Sequence, residues 1–376
     1  MSEPRVSVVI PVYNMERFVA QAIDSVLAQT LPPPDIEIVV VDDGSTDGGR
    51  RVIEGYGERV RLVAQPNRGL AGARNAGIRA SHGVFLGFLD ADDRFLPEKL
   101  AAQLAVFDAR PDIGLVYTGF RYVDERGTEL PQQGWAQLEG DVLPDLLLAN
   151  RVHPHQPLVR RQAVVAAGGF DEHLGPAADW DLWIRLARAG LRWACVDHPL
   201  ADYRVRPDAM HQDVAAMHTD CLRVLAKVFG DPDLPPHLRR LEALAYHRRH
   251  LAAACEHYRR GERAEGTRWF RAAAELRPEF LGDPDALRQV CRSLMPLGEQ
   301  GGPPLLAALP RIARMLRTAL ADLFAPPALD PAVARYRWRA RLTAWRALAP
   351  LARRRARAAV RRRWSSVRGV RPATVA

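Results

Sequence analysis

The residues that most suggest chemistry are the acids of FLDADD, Phe88 to Asp93, where an apolar run ends in Asp90, Asp92 and Asp93 with one alanine among them. Carboxylates crowded this closely repel one another, and a hard divalent cation relieves the repulsion. Magnesium takes one or two protein carboxylates and completes its shell with substrate phosphate oxygens and water. Asp90 and Asp92 are therefore read as ligands of Mg2+ or Mn2+, a metal that would neutralise a departing diphosphate. The alternative for part of the cluster is a helix cap at Asp92 or Asp93 ahead of LPEKL. A second acidic group opens ADWDLWIRLARAG, Ala178 to Gly190, directly after GGFDE, Gly168 to Glu172. Asp179 at that helix entrance is read as a general base that takes the proton of an attacking hydroxyl. It also suits an N-cap, with Asp181 as a partner of the helix dipole.

Three further segments bring groups that suit a nucleotide. PVYN, Pro11 to Asn14, and DDGSTD, Asp42 to Asp47, end two apolar runs and present aromatic, amide and carboxylate groups. A carboxylate there can accept from a base N–H or a ribose hydroxyl, Gly44 lets the backbone approach, and Ser45 can cap the next helix. A plain turn and cap is the competing account of DDGSTD. NRGLAGARNAGI, Asn67 to Ile78, offers Arg74 as a phosphate clamp, against the ordinary reading of a solvated arginine on a helix.

These motifs need a scaffold, and the alternation of short β-branched runs with helical patterns supplies one. Val6 to Ile10, Ile36 to Asp42, Val60 to Gln65 and Val84 to Asp90 read as strands, while Met15 to Gln29 and Leu70 to Ala80 read as helices. The rhythm predicts an α/β fold with a Rossmann-like, mostly parallel sheet flanked by helices, followed by an all-helical carboxyl-terminal region. Ligands of such sheets gather at the carboxyl ends of the strands, where the polar motifs stand.

Taken in order, PVYN, DDGSTD, the ARNAG segment, LDADD, GGFDE and DWDLWIRLA resemble the family-2 glycosyltransferases of the GT-A fold, over roughly residues 5–206. The resemblance implies an inverting transfer of a sugar from a nucleotide-diphosphate donor, UDP-linked by default, to a hydroxyl of a glycan or lipid-linked acceptor in cell-envelope polysaccharide synthesis. It implies nucleotide-sugar contacts at Pro11, Tyr13, Asp43, Arg74 and Asp90, a metal on Asp90 and Asp92, and base catalysis by Asp179. Two positions depart from the family pattern. Ala178 stands where many relatives have Glu, and Arg206 stands where many have a His. Arg206 is a candidate to pair with the diphosphate directly, and His211 a candidate to replace the histidine. His153 and His155 in HPHQPLVRR, with Trp180, are candidates for the acceptor side, surface histidines being the alternative.

The chain is read as three parts: a catalytic domain over residues 1–206, a helical region over 207–330, and a basic tail over 331–376. Within the second, Ala245 to Pro278 reads as one tetratricopeptide-like hairpin joined around Gly261; a single copy suits a helical cover better than a peptide-binding array. The net charge of +9 belongs to the tail, which has fourteen arginines and no acid, leaving 39 basic against 44 acidic residues before it. With Trp338, Trp345 and Trp364, the tail suits an anionic membrane surface, or else a nucleic acid, an acidic partner or plain solvent. The acidic body argues against a dedicated nucleic-acid protein. Cys195, Cys221, Cys255 and Cys291 lack metal-site spacing and read as packing residues of a reducing compartment. With no apolar run of spanning length and no signal peptide, the expected location is the cytoplasm, with peripheral contact at the inner face of the membrane.

Three other function classes were weighed. A catalytically silent nucleotide-sugar-binding scaffold would be expected to have lost one of Asp43, Asp90, Asp92 or Asp179, and all are present. A dinucleotide-dependent oxidoreductase lacks its G-x-G-x-x-G after the first strand. A glycoside hydrolase needs two carboxylates but no nucleotide pocket or metal pair.

Overall fold

A computed structural model describes residues 3–133, 135–207, 209, 213–294, 303–323, 331–334, 336, 340 and 343–344. His211 and residues 345–376, with Trp345 and Trp364, lie outside the described residues, as does Trp338. The chain divides into two compact units, Met1–Ala245 and Tyr246–Ala376.

The first unit is built on one sheet. Strands β1 (Val6–Val12), β2 (Ile36–Asp42), β3 (Arg61–Ala64) and β4 (Phe85–Phe88) alternate with helices α1 (Val19–Leu27), α2 (Gly49–Glu54) and α3 (Gly69–Ala80). The chain continues through β5 (Arg94–Phe95), α4 (Lys99–Ala109), β6 (Ile113–Val123), β7 (Glu129–Gln133) and α5 (Leu143–Leu148). Then come β8 (Pro157–Arg160), α6 (Arg161–Ala166), α7 (Ala178–Arg188), β9 (Arg192–Arg204), α8 (Val214–Phe229) and α9 (Pro236–Arg239). The sheet order is β3-β2-β1-β4-β8-β6-β9-β5, with β7 beside β6.

The pairs β1–β2, β2–β3 and β1–β4 are parallel, which is the half of the sheet that the sequence foretells. Beyond β4 the sheet is mixed rather than mostly parallel. β8 runs antiparallel to both β4 and β6, β5 runs antiparallel to β9, and β6–β9 is parallel again. Strand direction here is set by partners distant in sequence, which local periodicity does not report.

Val8, Ile10, Val40 and Leu89 pack with Val19, Ile23 and Leu100 in one buried cluster beneath the helices. α3 lies close to the sheet because of Gly77: a Cβ there would stand 2.2 Å from Val9 Cγ1. α7 sets Trp180, Leu182, Trp183, Ile184 and Leu186 in the interior and carries Asp179 and Asp181 in its first turn, where the helix dipole favours anions.

The first unit extends past Arg206 to Ala245 and so includes α8 and α9. α8 has a true side-chain cap, with Asp213 accepting from Ala216 N.

The second unit takes up most of α10 (Glu242–Arg260), then α11 (Arg263–Leu276), α12 (Pro284–Ser293), α13 (Pro303–Leu323) and α14 (Pro331–Ala334). α10 and α11 form a hairpin in which Gly266 faces the Tyr258 ring and Tyr258 Oη lies 2.9 Å from Thr267 Oγ1. Its core gathers Phe270, Phe280, Leu287, Leu316 and Leu323. Val333, Ala340 and Ala344 are buried in the same core. Among the described residues, no helix is long and apolar enough to cross a membrane.

Candidate functional site

The parallel half of the sheet delivers its loops to one edge. At the end of β1, Asn14 adopts a left-handed backbone (φ 53°), a conformation Asn tolerates better than most residues. Its Oδ1 accepts from Thr46 N at 2.8 Å and its N–H donates to Ser45 Oγ at 3.1 Å. The PVYN and DDGSTD loops are thereby clasped together. Ser45 serves this clasp and does not cap α2, whose N-cap is Gly48 with no side-chain bond.

Asp43 is buried, and its Oδ1 accepts from Gln65 Nε2 at 2.7 Å and Arg68 N at 2.9 Å. Asp42 Oδ1 holds the turn through Ser45 N. Gly44 has φ +77°, and a Cβ there would meet Asn67 N at 2.9 Å, so DDGSTD and NRG are pressed together backbone to backbone. Pro11 lies within buried β1, and Tyr13 presents an exposed ring, 47% accessible, beside the clasp.

Arg74 emerges from the middle of α3 but is not a solvated helix residue. It is buried, its guanidinium lies 5.2 Å from the Phe170 ring centroid, and its Nη2 donates to Asp90 Oδ1 at 2.6 Å. Asp179 is buried as well. Burial pushes its carboxyl up to about 6, against the opposing pull of Arg74 and a 3.0 Å hydrogen bond from Asn150 Nδ2, while Asp90 adds to the rise. The ARNAG, LDADD and DWD motifs thus meet electrostatically at Arg74, Asp90 and Asp179. The N-cap of α7 is Ala177, so Asp179 is not the cap; Asp181 bonds Arg185 and Lys227.

The other acids of LDADD have separate partners. Asp92 Oδ2 accepts from Arg206 Nε at 2.8 Å, yet burial, Asp93 and Asp90 together raise its carboxyl to about 7. Asp93 is driven well above the usual carboxylate range by burial and by Asp90. Its Oδ1 accepts from Arg204 N at 2.8 Å, while Oδ2 stands 2.9 Å from His155 Nδ1, off the angle of a hydrogen bond. Burial drives His155 down to about 3, so its ring is neutral. Neither Asp92 nor Asp93 caps α4, whose N-cap is Glu98.

Asp90 and Asp92, on one loop, would suit a divalent cation that draws its remaining ligands from phosphate and water. No cluster of three or more His, Cys, Asp or Glu residues able to hold a metal occurs among the described residues.

Two acceptor-side candidates, Trp180 and His155, lie in the interior. Trp180 is buried, with its indole N–H donated to Leu146 O at 2.7 Å, so it packs α7 against α5. His155 is fully enclosed, stacked on His153 at 5.8 Å and close to Tyr203; His153 is half-buried. His155 is therefore neither a surface histidine nor one open to a ligand.

Several residues of the site carry no sequence signal. Asn150 follows α5 in an irregular loop, and Arg204 uses its guanidinium to bind the carbonyls of Asp92 and Glu125 and the side chain of Gln21. Glu172 of GGFDE reaches Arg68 at 2.8 Å and Asn75 at 3.0 Å, a role that the acid in that motif could have suggested.

Fold and motif geometry define the first unit as a GT-A-type α/β domain. Residues 7–163 match the family model "Glycosyl transferase family 2". An uncharacterized glycosyltransferase of Rickettsia prowazekii is 33% identical over 191 residues, 49% of this chain and 59% of the relative, so less than two thirds of that relative is spanned. Among solved structures, Staphylococcus aureus TarS 1-349 in complex with UDP-GlcNAc is similar with a TM-score of 0.56 at 18% identity, covering 90% of each chain. The mannosyltransferase PcManGT from Pyrobaculum calidifontis, in complex with GDP-Man and Mn2+, is similar with a TM-score of 0.53 at 20% identity over 92% of this chain and 88% of that one. At these identities the structural likeness concerns the fold.

Proposed function

We propose that the chain is an inverting, metal-dependent glycosyltransferase that moves a sugar from a nucleotide diphosphate, UDP by default, to a hydroxyl of a glycan or lipid-linked acceptor. The observation that carries this reading is the 2.6 Å Arg74–Asp90 pair with the buried Asp179 carboxyl in the field of both. That geometry supports reading Arg74 as a phosphate clamp, Asp90 as a metal ligand and Asp179 as a base, drawn from three separate motifs.

In this reading the exposed Tyr13 ring stacks on the base beside Pro11, and Asp43, its Oδ1 already fixed by Gln65 and Arg68, uses its other oxygen to accept from the base or ribose. Arg74 binds the diphosphate by charge-assisted hydrogen bonds. Mg2+ or Mn2+ held by Asp90 and Asp92 supplies neutralising charge to the leaving diphosphate. Asp179 takes the proton of the acceptor hydroxyl as its oxygen attacks the anomeric carbon. The bond from that carbon to the diphosphate oxygen breaks, the electron pair leaves with the diphosphate, and the configuration inverts.

The TarS and PcManGT complexes support a nucleotide-sugar donor, and the Mn2+ of the latter supports the metal. The arginines of residues 345–376 suit contact with an anionic membrane at the cytoplasmic face, which would bring the site to a lipid-linked acceptor. Calorimetric titration of UDP, GDP, dTDP and CDP, with and without Mn2+ or Mg2+, tests the proposal. Metal-dependent binding of one diphosphate is expected and names the donor class; binding of none overturns the proposal.

A further inference from the structure

Both acids assigned to the metal already have a buried guanidinium on them. Arg74 Nη2 donates to Asp90 Oδ1 at 2.6 Å, and Arg206 Nε donates to Asp92 Oδ2 at 2.8 Å. The two pairs differ in how their arginines are held. Arg74 projects from the middle of α3, 3% accessible and against the face of Phe170. Arg206 follows the end of β9, and the two residues before it are anchored through their backbone N–H groups. Arg204 N donates to Asp93 Oδ1, and Val205 N donates to Val123 O.

The Arg204 guanidinium binds backbone carbonyls and Gln21, and Arg206 lies on the wall of an open cavity of about 730 Å³ with Asn14, Glu16, Arg17, Phe18, Asp47 and Glu125. Both guanidinium carbons stand over the one Phe18 ring, at 5.0 and 5.4 Å. Two like charges sharing one ring oppose each other. The carboxylate of Asp92 offsets part of that repulsion on the Arg206 side, and the cavity borders the arginine.

We propose that Arg206 is a resident cation of Asp92 that competes with the divalent metal for the same carboxylate, and that a diphosphate anion entering from the cavity draws it away. Metal and diphosphate then bind with positive coupling: each is weak alone, and each removes part of the cost of the other. The inference rests on the assignment of Asp92 as a metal ligand, but its test does not rest on sugar transfer.

The test is titration of Mn2+ alone, followed by electron paramagnetic resonance of the free ion, into the full chain and its Arg206→Gln and Arg206→His variants. Both variants are expected to bind Mn2+ more tightly than the native chain, on the order of tenfold for a coupling of this kind. Repeating the titration with saturating inorganic pyrophosphate, corrected for the Mn2+ that pyrophosphate holds in solution, should tighten the native chain and leave Arg206→Gln with little further gain. Adding Asp92→Asn to Arg206→Gln should abolish the gain and so locate the ion. Circular dichroism identifies any variant that fails to fold, and the native chain's response to pyrophosphate still decides the matter in that case. Unchanged Mn2+ affinity in folded Arg206 variants, or no effect of pyrophosphate on the native chain, overturns the proposal. If transfer is never detected while these shifts appear, the catalytic reading fails and the competition stands.

Discussion

Asn75 and Phe170 exchange two hydrogen bonds: Asn75 Nδ2 donates to Phe170 O at 2.9 Å, and Phe170 N donates to Asn75 Oδ1 at 2.8 Å. A side-chain amide here does the work of a strand partner and fastens the GGFDE loop to α3. Phe170 in turn lies against the Arg74 guanidinium, so the same clasp fixes the arginine that meets Asp90. In the proposed reading Asn75 is a positioning residue, acting on Arg74 through Phe170.

Replacing Asn75 by Ala leaves a buried N–H and a buried carbonyl of Phe170 without these partners, at about 1–3 kcal/mol for each group left unsatisfied. The expected result is a several-degree fall in Tm together with a rise in the donor KM, as Arg74 loses its backing. Thermal unfolding and donor titration check the two effects separately. An unchanged Tm would show that the loop is held by Glu172 and Arg68 instead.

Gly44 admits no side chain without strain, because its φ of +77° and the 2.9 Å approach of Asn67 N leave no room for a Cβ. Gly44→Ala should cost about 1–2 kcal/mol of backbone energy and push the NRG segment off Asp43. Nucleotide diphosphate affinity is expected to fall on the order of tenfold, by calorimetry, with the global fold retained by circular dichroism. Full affinity would mean that Asp43 keeps its place without the contact between these loops.

The sequence was most legible where structure is local. The strand Ile36–Asp42 appears with the bounds its β-branched run predicts, and the helix expected at Leu70–Ala80 begins one residue earlier, at Gly69. The helix expected from Met15 starts at Val19, because Met15 to Phe18 form a turn in which Met15 O accepts from Phe18 N and Val19 N.

The direction of β8 and β9, the enclosure of Trp180 and His155, and the pairing of Arg206 with Asp92 across 114 residues depend on contacts that no window of sequence contains. The same holds for Asn150, whose neighbour Asp179 lies 29 residues on. The motifs named the candidate acids; which arginine sits on which acid is a property of the folded sheet.

The proposed membrane contact of the carboxyl-terminal arginines is best tested by a cut after Ala344. An earlier cut at Asp330 would remove Val333, Ala340 and Ala344 from the core of the second unit and confound binding with unfolding. The shorter chain loses ten arginines and should lose binding to vesicles of anionic phosphatidylglycerol in a sedimentation assay, while keeping its nucleotide affinity. Retained vesicle binding would locate the membrane contact elsewhere.

Asp179 makes the sharpest prediction, because its two roles separate with pH. Burial raises its carboxyl from an ordinary 3.8 to about 6 in the folded chain. As a base it must be ionised, so kcat/KM should fall about tenfold per pH unit below about 6, and Asp179→Asn should lower kcat by about a hundredfold or more while sparing donor affinity. Stability runs the other way. A carboxyl whose folded pKa lies above its unfolded value contributes stability that is full below about 3.8 and lost as pH rises through about 6. At pH 8 the native chain therefore carries a buried charge that the asparagine variant avoids. Asp179→Asn should have a Tm at pH 8 no lower than the native chain, with its relative advantage shrinking toward pH 4. The two readouts together distinguish a catalytic carboxylate from a structural one. A variant that unfolds more easily at pH 8 but still transfers sugar would assign Asp179 to the fold and leave the base to be found elsewhere.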